Sequence, residues 1–307
     1  MPFYVSPEQV MKDKADYARK RISQIRSGVV MTCEAGILLV APNPSRALRK
    51  FSEMYDRIAF AAVGRYNEFE TLRKAGVRYA DMTGFTYDRR DVTARGLADW
   101  YGQLLGSLFT DSPKPYEVEI VVAEVGKTTA DDEIYRITFE GSVADEHGFV
   151  VVGGQADRVA AVLKEQYSPS MSLIEAMRLA IASLAGQGDG NSEPMTSGQL
   201  EVALLERSRP HRAFRRLTGA RLETLLAEAR PAAAGPTAAA NGSSGGPAAG
   251  ADADGGGAGP ETPTGGSANG GSANGDSAAS GSPDGGSPDD GSSGGGSATD
   301  GGDGSGA

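Results

Sequence analysis

The sequence predicts an α+β fold in which two antiparallel sheets lie between layers of helices. The predicted strands are joined by connections of hairpin length, which favours antiparallel pairing, and the helices come in pairs rather than between every strand. Residues 231–307 contain no branched aliphatic or aromatic side chain. They cannot bury enough apolar surface to offset the entropy of ordering, so we expect a disordered tail after a folded domain at residues 1–230.

The first predicted element is a helix over residues 7–26. Ser6 provides an N-cap, Pro7 takes the first helical position, and Gln9 is expected to complete a capping box. Apolar residues recur at intervals of four and three and form one narrow stripe of five: Met11, Ala15, Ala18, Ile22 and Ile25. A stripe this narrow is typical of packing against a neighbouring surface rather than of filling a deep core.

Apolar runs and helical periodicity predict the remaining elements. Strands are expected at 29–33, 37–41, 58–63, 116–125, 134–139, 149–152, 199–206 and 213–217, and helices at 66–80, 92–110, 155–166, 171–185 and 218–229. The clearest helix is 92–110, because its apolar residues follow the spacing of one broad buried face. The order is strands, two helices, strands, two helices, strands and a last helix.

Charge and hydropathy exclude several functions. The tail carries nine of the 40 acidic residues and none of the 30 basic ones, so it accounts for −9 of the net charge of −10, and the domain is nearly neutral. This balance disfavours a nucleic-acid partner. No apolar run reaches 18 residues, so no membrane span is expected, and the charged N-terminus does not resemble a secretory signal. Cys33, the single cysteine, excludes intrachain disulfides and fits a reducing cytoplasm.

No motif in the sequence predicts a catalytic, cofactor or metal site. Gly153 and Gly154 follow a strand as in a phosphate-binding turn, but the G-x-G-x-x-G and P-loop patterns are missing, which favours a close strand–helix packing turn. The two histidines, His147 and His211, are too few for most multi-histidine metal sites. The charge cluster at 87–93 is expected to cap the following helix with salt bridges. These features favour a structural or binding role.

Five stretches resemble the actinobacterial-type proteasome α subunit: 3–25, 43–48, 80–93, 114–119 and 213–216. They occur in order, at compatible spacing, over nearly all of residues 1–230. The resemblance implies an Ntn-hydrolase-like four-layer αββα sandwich. It also implies rings of seven α subunits stacked on rings of β subunits, without a cofactor.

The same resemblance implies that this chain is not catalytic. In catalytic relatives the first strand begins at a Thr freed by cleavage after Gly, and the Thr α-amino group acts as the base. Here that point falls at residues 26–28, where no Gly-Thr pair occurs. The nearest threonine, Thr32, lies inside the strand with its backbone nitrogen in a peptide bond.

Two functional segments follow from the resemblance. The residues ahead of the first helix are expected to obstruct the substrate entrance at the ring axis: Pro2, Phe3, Tyr4, Val5 and Ser6. Lys50 matches the lysine that pairs with the C-terminal carboxylate of a ring-shaped ATPase activator, in a pocket between neighbouring α subunits. The stripe on the first helix would then contact a neighbouring subunit or cap a sheet. The expected partners are other α subunits, β subunits, the ATPase ring and protein substrates, including those marked with a small disordered protein modifier.

Two alternatives stay open on the sequence alone. A β-type threonine endopeptidase would require maturation, so an intact N-terminus in mass spectrometry would exclude it. An unrelated α+β ligand-binding domain predicts a monomer or dimer instead of a ring.

Overall fold

The computed structural model describes residues 6–45, 47–185 and 195–230. Residues 2–5 of the expected gate and the expected disordered tail, 231–307, lie outside the described residues. The division into a domain and a tail therefore stays a prediction.

The described part of the chain forms six α-helices and ten β-strands. The helices are α1 (Pro7–Ile22), α2 (Tyr66–Thr86), α3 (Ala94–Asp111), α4 (Ala156–Gln166), α5 (Leu173–Ala185) and α6 (Gly219–Ala229). The strands are β1 (Gly28–Cys33), β2 (Gly36–Pro42), β3 (Phe51–Tyr55), β4 (Ile58–Gly64), β5 (Val118–Glu124), β6 (Glu133–Ile137), β7 (Val143–Asp145), β8 (Phe149–Val152), β9 (Leu200–Glu206) and β10 (Phe214–Leu217).

The strands form two five-stranded sheets with the orders β10-β9-β2-β1-β8 and β3-β4-β5-β6-β7, and every pairing is antiparallel. Helices α4, α5 and α6 cover the first sheet, whereas α2 and α3 cover the second. A separate apolar cluster fills the space between the sheets. The predicted four-layer αββα sandwich is confirmed.

Burial on both faces explains why the central strands read as continuous apolar runs. All six residues of β1 are buried. Val29 and Met31 contact the helical layer, whereas Val30 faces the second sheet. Side chains alternate between two apolar environments, so the sequence shows no polar alternation there.

The structure corrects several boundaries. Helix α1 ends at Ile22 rather than at 26, because the chain turns there: the Ile25 N–H donates to the Ile22 carbonyl, and the Ile25 carbonyl accepts from Gly154. Helix α2 continues six residues past the predicted end at 80. The sequence prediction also missed the edge strands β3 and β7. A register shift between Glu53 and Tyr55 interrupts the alternation in β3, and β7 has only three residues.

The turn at Gly153 and Gly154 is a close packing turn, as predicted. Gly153 has a φ of +110°, and a Cβ atom on Gly154 would lie 2.0 Å from the carbonyl oxygen of Ser23. The Gly153 N–H donates to Glu119 at 3.1 Å, and the Gln155 N–H donates to the Ser27 hydroxyl at 3.1 Å. The backbone donors that could have held a phosphate therefore join this turn to β5 of the second sheet and to Ser27, just ahead of β1.

Candidate functional site around Lys50

Lys50 lies directly before β3, at the point where the two sheets come together. Its Nζ donates to the carbonyl oxygen of Arg26 at 3.2 Å, just ahead of β1 in the first sheet. Its backbone N–H donates to Glu201 Oε2 at 2.9 Å, on β9 of the same first sheet. Lys50 therefore immediately precedes a strand of the second sheet, and it is held by one group on the first sheet and by another just ahead of that sheet.

Glu201 binds several groups of this site. Its side chain is only 1% exposed and forms an ion pair with Arg216. It also accepts hydrogen bonds from Asn43 Nδ2 at 2.7 Å and from the Phe51 N–H at 3.2 Å, in addition to the one from Lys50. A carboxylate with this many donors can be buried as a charge without a large penalty. The loop that carries Lys50 is thus fixed at both ends.

The loop is also held by its own polar groups. Asn43 Nδ2 donates to the Leu48 carbonyl at 2.7 Å, and Asn43 Oδ1 accepts from the Ser45 N–H at 3.0 Å. The Ser45 hydroxyl accepts from the Leu48 N–H at 3.0 Å. These bonds explain why an Asn-Pro-Ser sequence, which breaks the strand pattern, still forms a defined loop.

Lys50 carries an incompletely compensated charge. Burial lowers the pKa of its ammonium group to about 8; Glu201 opposes this shift and Arg26 adds to it. The ammonium group predominates at neutral pH, but it is desolvated and its nearest carboxylate is already used by Arg216. An external carboxylate would supply the missing counter-charge.

The hydroxyl and thiol groups of β1 are used in packing rather than exposed for catalysis. Thr32 is buried, and its backbone N–H donates to the Gly148 carbonyl at 2.7 Å. Cys33 is also buried, and burial raises the pKa of its thiol. A raised thiol pKa disfavours the nucleophilic thiolate.

The histidines and the charge cluster at 87–93 lie away from Lys50. His147 and His211 are exposed, beside Asp145 and Asp56 respectively. No group of His, Cys, Asp or Glu side chains among the described residues could hold a metal ion, and no helix there is long and apolar enough to cross a membrane.

The charge cluster forms the predicted cap ahead of α3. Asp88 Oδ1 accepts from the Arg90 N–H at 2.8 Å, and Arg89 pairs with Asp56 at 3.2 Å. Thr93 then caps α3 by accepting from the Gly96 N–H at 3.1 Å.

Ser6 caps the start of α1, and three of the five stripe residues are buried. The Ser6 hydroxyl accepts from the Gln9 N–H at 3.3 Å, as predicted, but the Gln9 side chain donates to Asp13 at 2.7 Å instead of closing a capping box. Three stripe residues, Ala15, Ala18 and Ile22, are buried against Phe139 of the same chain, whereas Met11 and Ile25 are half-buried. The stripe therefore covers its own domain, and a contact with a neighbouring subunit stays a prediction.

A second carboxylate, Glu117, fastens α1 to the domain. It accepts from the Tyr17 hydroxyl at 3.1 Å and from Arg21 Nε at 3.2 Å, and it pairs with Lys114 at 2.8 Å. Burial opposes the charge, but the hydrogen bonds from Lys114, Arg21 and Tyr17 prevail and lower the Glu117 pKa. Sequence reasoning gave no role to Glu117 or Glu201. The available signal was an acidic residue at, or just before, the start of a mostly apolar strand.

Comparison with known proteins identifies the class to which this fold and site belong. Residues 24–205 match the family model described as proteasome subunit. The chain belongs to the proteasome subunit family.

Relatives from Thermobifida fusca, Thermomonospora curvata and Streptosporangium roseum are each named proteasome subunit alpha. The Thermobifida fusca relative is 62% identical over 229 residues, which is 75% of this chain and 92% of the relative. The Thermomonospora curvata relative is 62% identical over 228 residues, which is 74% of this chain and 98% of the relative. The Streptosporangium roseum relative is 63% identical over 229 residues, which is 74% of this chain and 87% of the relative. The similarity is thus to the α type. This type is non-catalytic, and the proteolytic activity of the proteasome resides in the β subunits. The recognition made from the sequence is confirmed, and the alternative of an unrelated binding domain is excluded.

Proposed function

We propose that this α subunit of the proteasome core particle forms rings of seven, which stack on rings of β subunits, control substrate access and dock a ring-shaped ATPase. Residues 2–6 form the gate at the ring axis, and Lys50 receives the C-terminal carboxylate of the ATPase. The observation that carries the docking proposal is the Lys50 ammonium group, which donates to the Arg26 carbonyl and has no ion pair of its own among the residues that the structure describes.

The geometry of Lys50 supports carboxylate binding. Because Glu201 fixes the Lys50 backbone and the Arg26 carbonyl accepts from Nζ, both ends of the side chain are held before a ligand binds. Preorganisation of this kind reduces the entropy that must be lost on binding. The remaining contact of the ammonium group is a neutral carbonyl, that of Arg26, which an anionic ligand can supplement without displacing another anion.

The anchoring of α1 supports the gate. Ser6 and Pro7 fix the first turn of α1, and Lys14 Nζ donates to the carbonyls of Phe109 and Thr110 at 3.0 and 3.2 Å. A helix held in this way gives the preceding segment a fixed starting point. Phe3, Tyr4 and Val5 supply the apolar groups with which seven copies can meet at the axis.

The cellular setting follows from the composition. A nearly neutral domain with a single buried cysteine is suited to the reducing cytoplasm and gives no reason for a nucleic-acid partner. We place the subunit there, with β subunits, the ATPase ring and proteins in transit as its partners, and with the acidic residues 231–307 as an appendage to the domain.

The docking proposal is tested by Lys50→Met in a reconstituted core particle. Methionine keeps an unbranched apolar chain of similar length and removes the charge. We expect ATPase-stimulated degradation of a protein substrate to be lost, while ATPase-independent cleavage of a short peptide is unchanged.

The matched control is Lys74→Met on α2, where the side chain is exposed and makes only a 3.8 Å ion pair within its own helix. Retained stimulation in Lys50→Met, or an equal loss in Lys74→Met, would contradict docking at Lys50.

A further inference from the structure

Helices α5 and α6 border an apolar groove of about 680 Å³. Two buried leucines line it, Leu179 on α5 and Leu226 on α6. Ile181 and Ala182 add further apolar surface from α5. We call this space the α5–α6 groove. Small-molecule sites in proteins measure about 300–1,000 Å³ and combine a mostly apolar lining with a few polar groups, so the groove has the size and the lining of such a site.

Two methionines make the lining of the α5–α6 groove adaptable. Met171 and Met195 both line it, and both are half-buried against the core beneath the helices. A methionine side chain is unbranched and polarisable, so it can adjust to an irregular or flexible apolar partner. The groove can therefore accept an alkyl chain as well as a rigid ring.

Arg178 on α5 brings a positive charge to the same groove. Its Nε donates to the Ala229 carbonyl at 2.9 Å, and its Nη2 donates to the Glu228 carbonyl at 3.3 Å. These hydrogen bonds hold the guanidinium group at the C-terminal end of α6. Within the described part of the chain, Arg178 forms no ion pair and its Nη1 makes no hydrogen bond.

The carboxylate that lies near Arg178 is already engaged. Glu175 Oε2 accepts hydrogen bonds from the N–H and the hydroxyl of Ser172, both at 2.8 Å. These two bonds lower the Glu175 pKa, and the charge of Arg178 lowers it further by a smaller amount. Arg230 also lines the groove, next to the carbonyl that Arg178 holds. Two guanidinium groups beside one engaged carboxylate favour an anionic ligand.

We infer that the α5–α6 groove is a binding site for a medium-chain fatty acid. The carboxylate of the acid pairs with Arg178 and Arg230, and its alkyl chain lies against the leucines and methionines. A small inorganic anion would leave the apolar lining exposed to water, and an uncharged hydrocarbon would leave the two guanidinium groups without a counter-charge. The inference does not depend on the proposed function, since the groove belongs to a single subunit.

The remaining segments of the chain are poor occupants of the α5–α6 groove. Residues 186–194 and 231–307 lie outside the described residues, and their sequences contain no Val, Ile, Leu, Met or aromatic residue. Segments of this composition offer little apolar surface to bury. A separate ligand with an alkyl chain matches the lining better.

Isothermal titration calorimetry of the purified full-length chain with sodium decanoate tests the inference. We expect one saturable site per subunit with a Kd below about 1 mM. Octanoate should bind roughly fifteenfold more weakly, because each buried methylene group changes the affinity about fourfold. Decylammonium, which has the same chain length and the opposite charge, should bind at least about tenfold more weakly than decanoate.

Two variants locate the binding in the α5–α6 groove. Ala182 is exposed and lines the groove, so Ala182→Trp fills it without entering the core and should weaken decanoate binding at least about tenfold. Arg178→Gln removes the charge, so it should weaken decanoate binding about tenfold and leave decylammonium binding no weaker than in the wild type. Thermal unfolding without ligand shows that each variant is folded.

Ala227→Trp is the matched control, because Ala227 is exposed on α6 and does not line the groove. It should bind decanoate as the wild type does. The inference is overturned by a wild-type chain that shows no saturable decanoate binding up to about 1 mM, by equal affinities for decanoate and decylammonium, or by unchanged binding in Ala182→Trp. An equal loss in Ala182→Trp and Ala227→Trp would also overturn it. None of these outcomes bears on ring formation, so the proposed function stands or falls separately.

Discussion

The buried carboxylate of Glu201 accepts a hydrogen bond from the backbone N–H of Lys50 at 2.9 Å. A strand of the first sheet thus fixes the residue that immediately precedes β3 of the second sheet. The same carboxylate is paired with Arg216. Its negative charge is therefore shared among several donors and leaves the Lys50 ammonium group incompletely neutralised. This relationship makes Lys50 both well positioned and receptive to an outside carboxylate.

Glu201→Gln should weaken both the fold and the docking. The glutamine amide would place a donor against backbone donors and leave Arg216 without its counter-charge. Because Arg216 is partly exposed, we expect a loss of about 2–3 kcal/mol in the free energy of unfolding, at the low end of the range for a broken buried pair. Urea unfolding of the purified subunit measures this.

Glu206→Gln is the control for that change, because Glu206 pairs with Arg215 at a more exposed place on the same strand. It should cost less than about 1 kcal/mol. Equal losses in the two variants would show that Glu201 has no special structural role.

Docking at Lys50 should weaken as the pH rises. A carboxylate binds the ammonium form, and burial lowers the pKa of Lys50 to about 8. The charged form therefore predominates at pH 7 and is the minor form at pH 9. We expect the affinity of the core particle for a C-terminal ATPase peptide to fall about tenfold between these values.

Lys50→Arg provides the comparison for the pH series, since a guanidinium group stays charged throughout this range. Its affinity should be nearly independent of pH. A wild-type affinity that stays constant from pH 7 to pH 9 would count against an ammonium–carboxylate contact at this site.

Deletion of residues 2–5 should open the gate without disturbing α1. Ser6 is retained because its hydroxyl caps the helix by accepting from the Gln9 N–H. Hydrolysis of a short peptide by the assembled particle should become several-fold faster and less dependent on an activator. An unchanged hydrolysis rate in a fully assembled particle would refute the gate.

Truncation after Arg230 should leave ring assembly and peptide hydrolysis intact. If these 77 residues are disordered, as their composition predicts, a glycine-rich chain of that length reaches about 50 Å, and seven copies would form an acidic fringe around each ring. We expect this fringe to affect solubility or activator docking at low salt. Native mass spectrometry of the truncated chain checks the assembly, and loss of the ring would contradict this role.

Local signals in the sequence predict most of the fold. The apolar stripe of α3 and the apolar runs of β1 and β2 predict these elements clearly. One face of α3 is buried, and β1 and β2 are buried throughout, so the sequence pattern there is set by burial. The sequence does not reveal β3, since it is an edge strand with a register shift, nor the length of α2, which depends on Gly84 meeting Tyr55. The first is a local irregularity in a hairpin with β4, and the second is a tertiary contact that helical periodicity does not report.

The site was predicted only in part, for a related reason. Lys50 was identified as a site residue because it matches a lysine of the family. A lysine in a polar loop does not by itself indicate a binding site. Burial in the folded domain lowers the pKa of Lys50, and its backbone is held by Glu201, which is 151 residues away in sequence. Pairings at this separation arise from the sheet order β10-β9-β2 and cannot be read from local spacing.

Native mass spectrometry of the chain with and without a β subunit tests the central claim most directly. A ring-forming α subunit predicts a seven-membered species, and a 28-subunit particle when the β subunit is present. A chain that stays a monomer or dimer in both samples would contradict the proposed function.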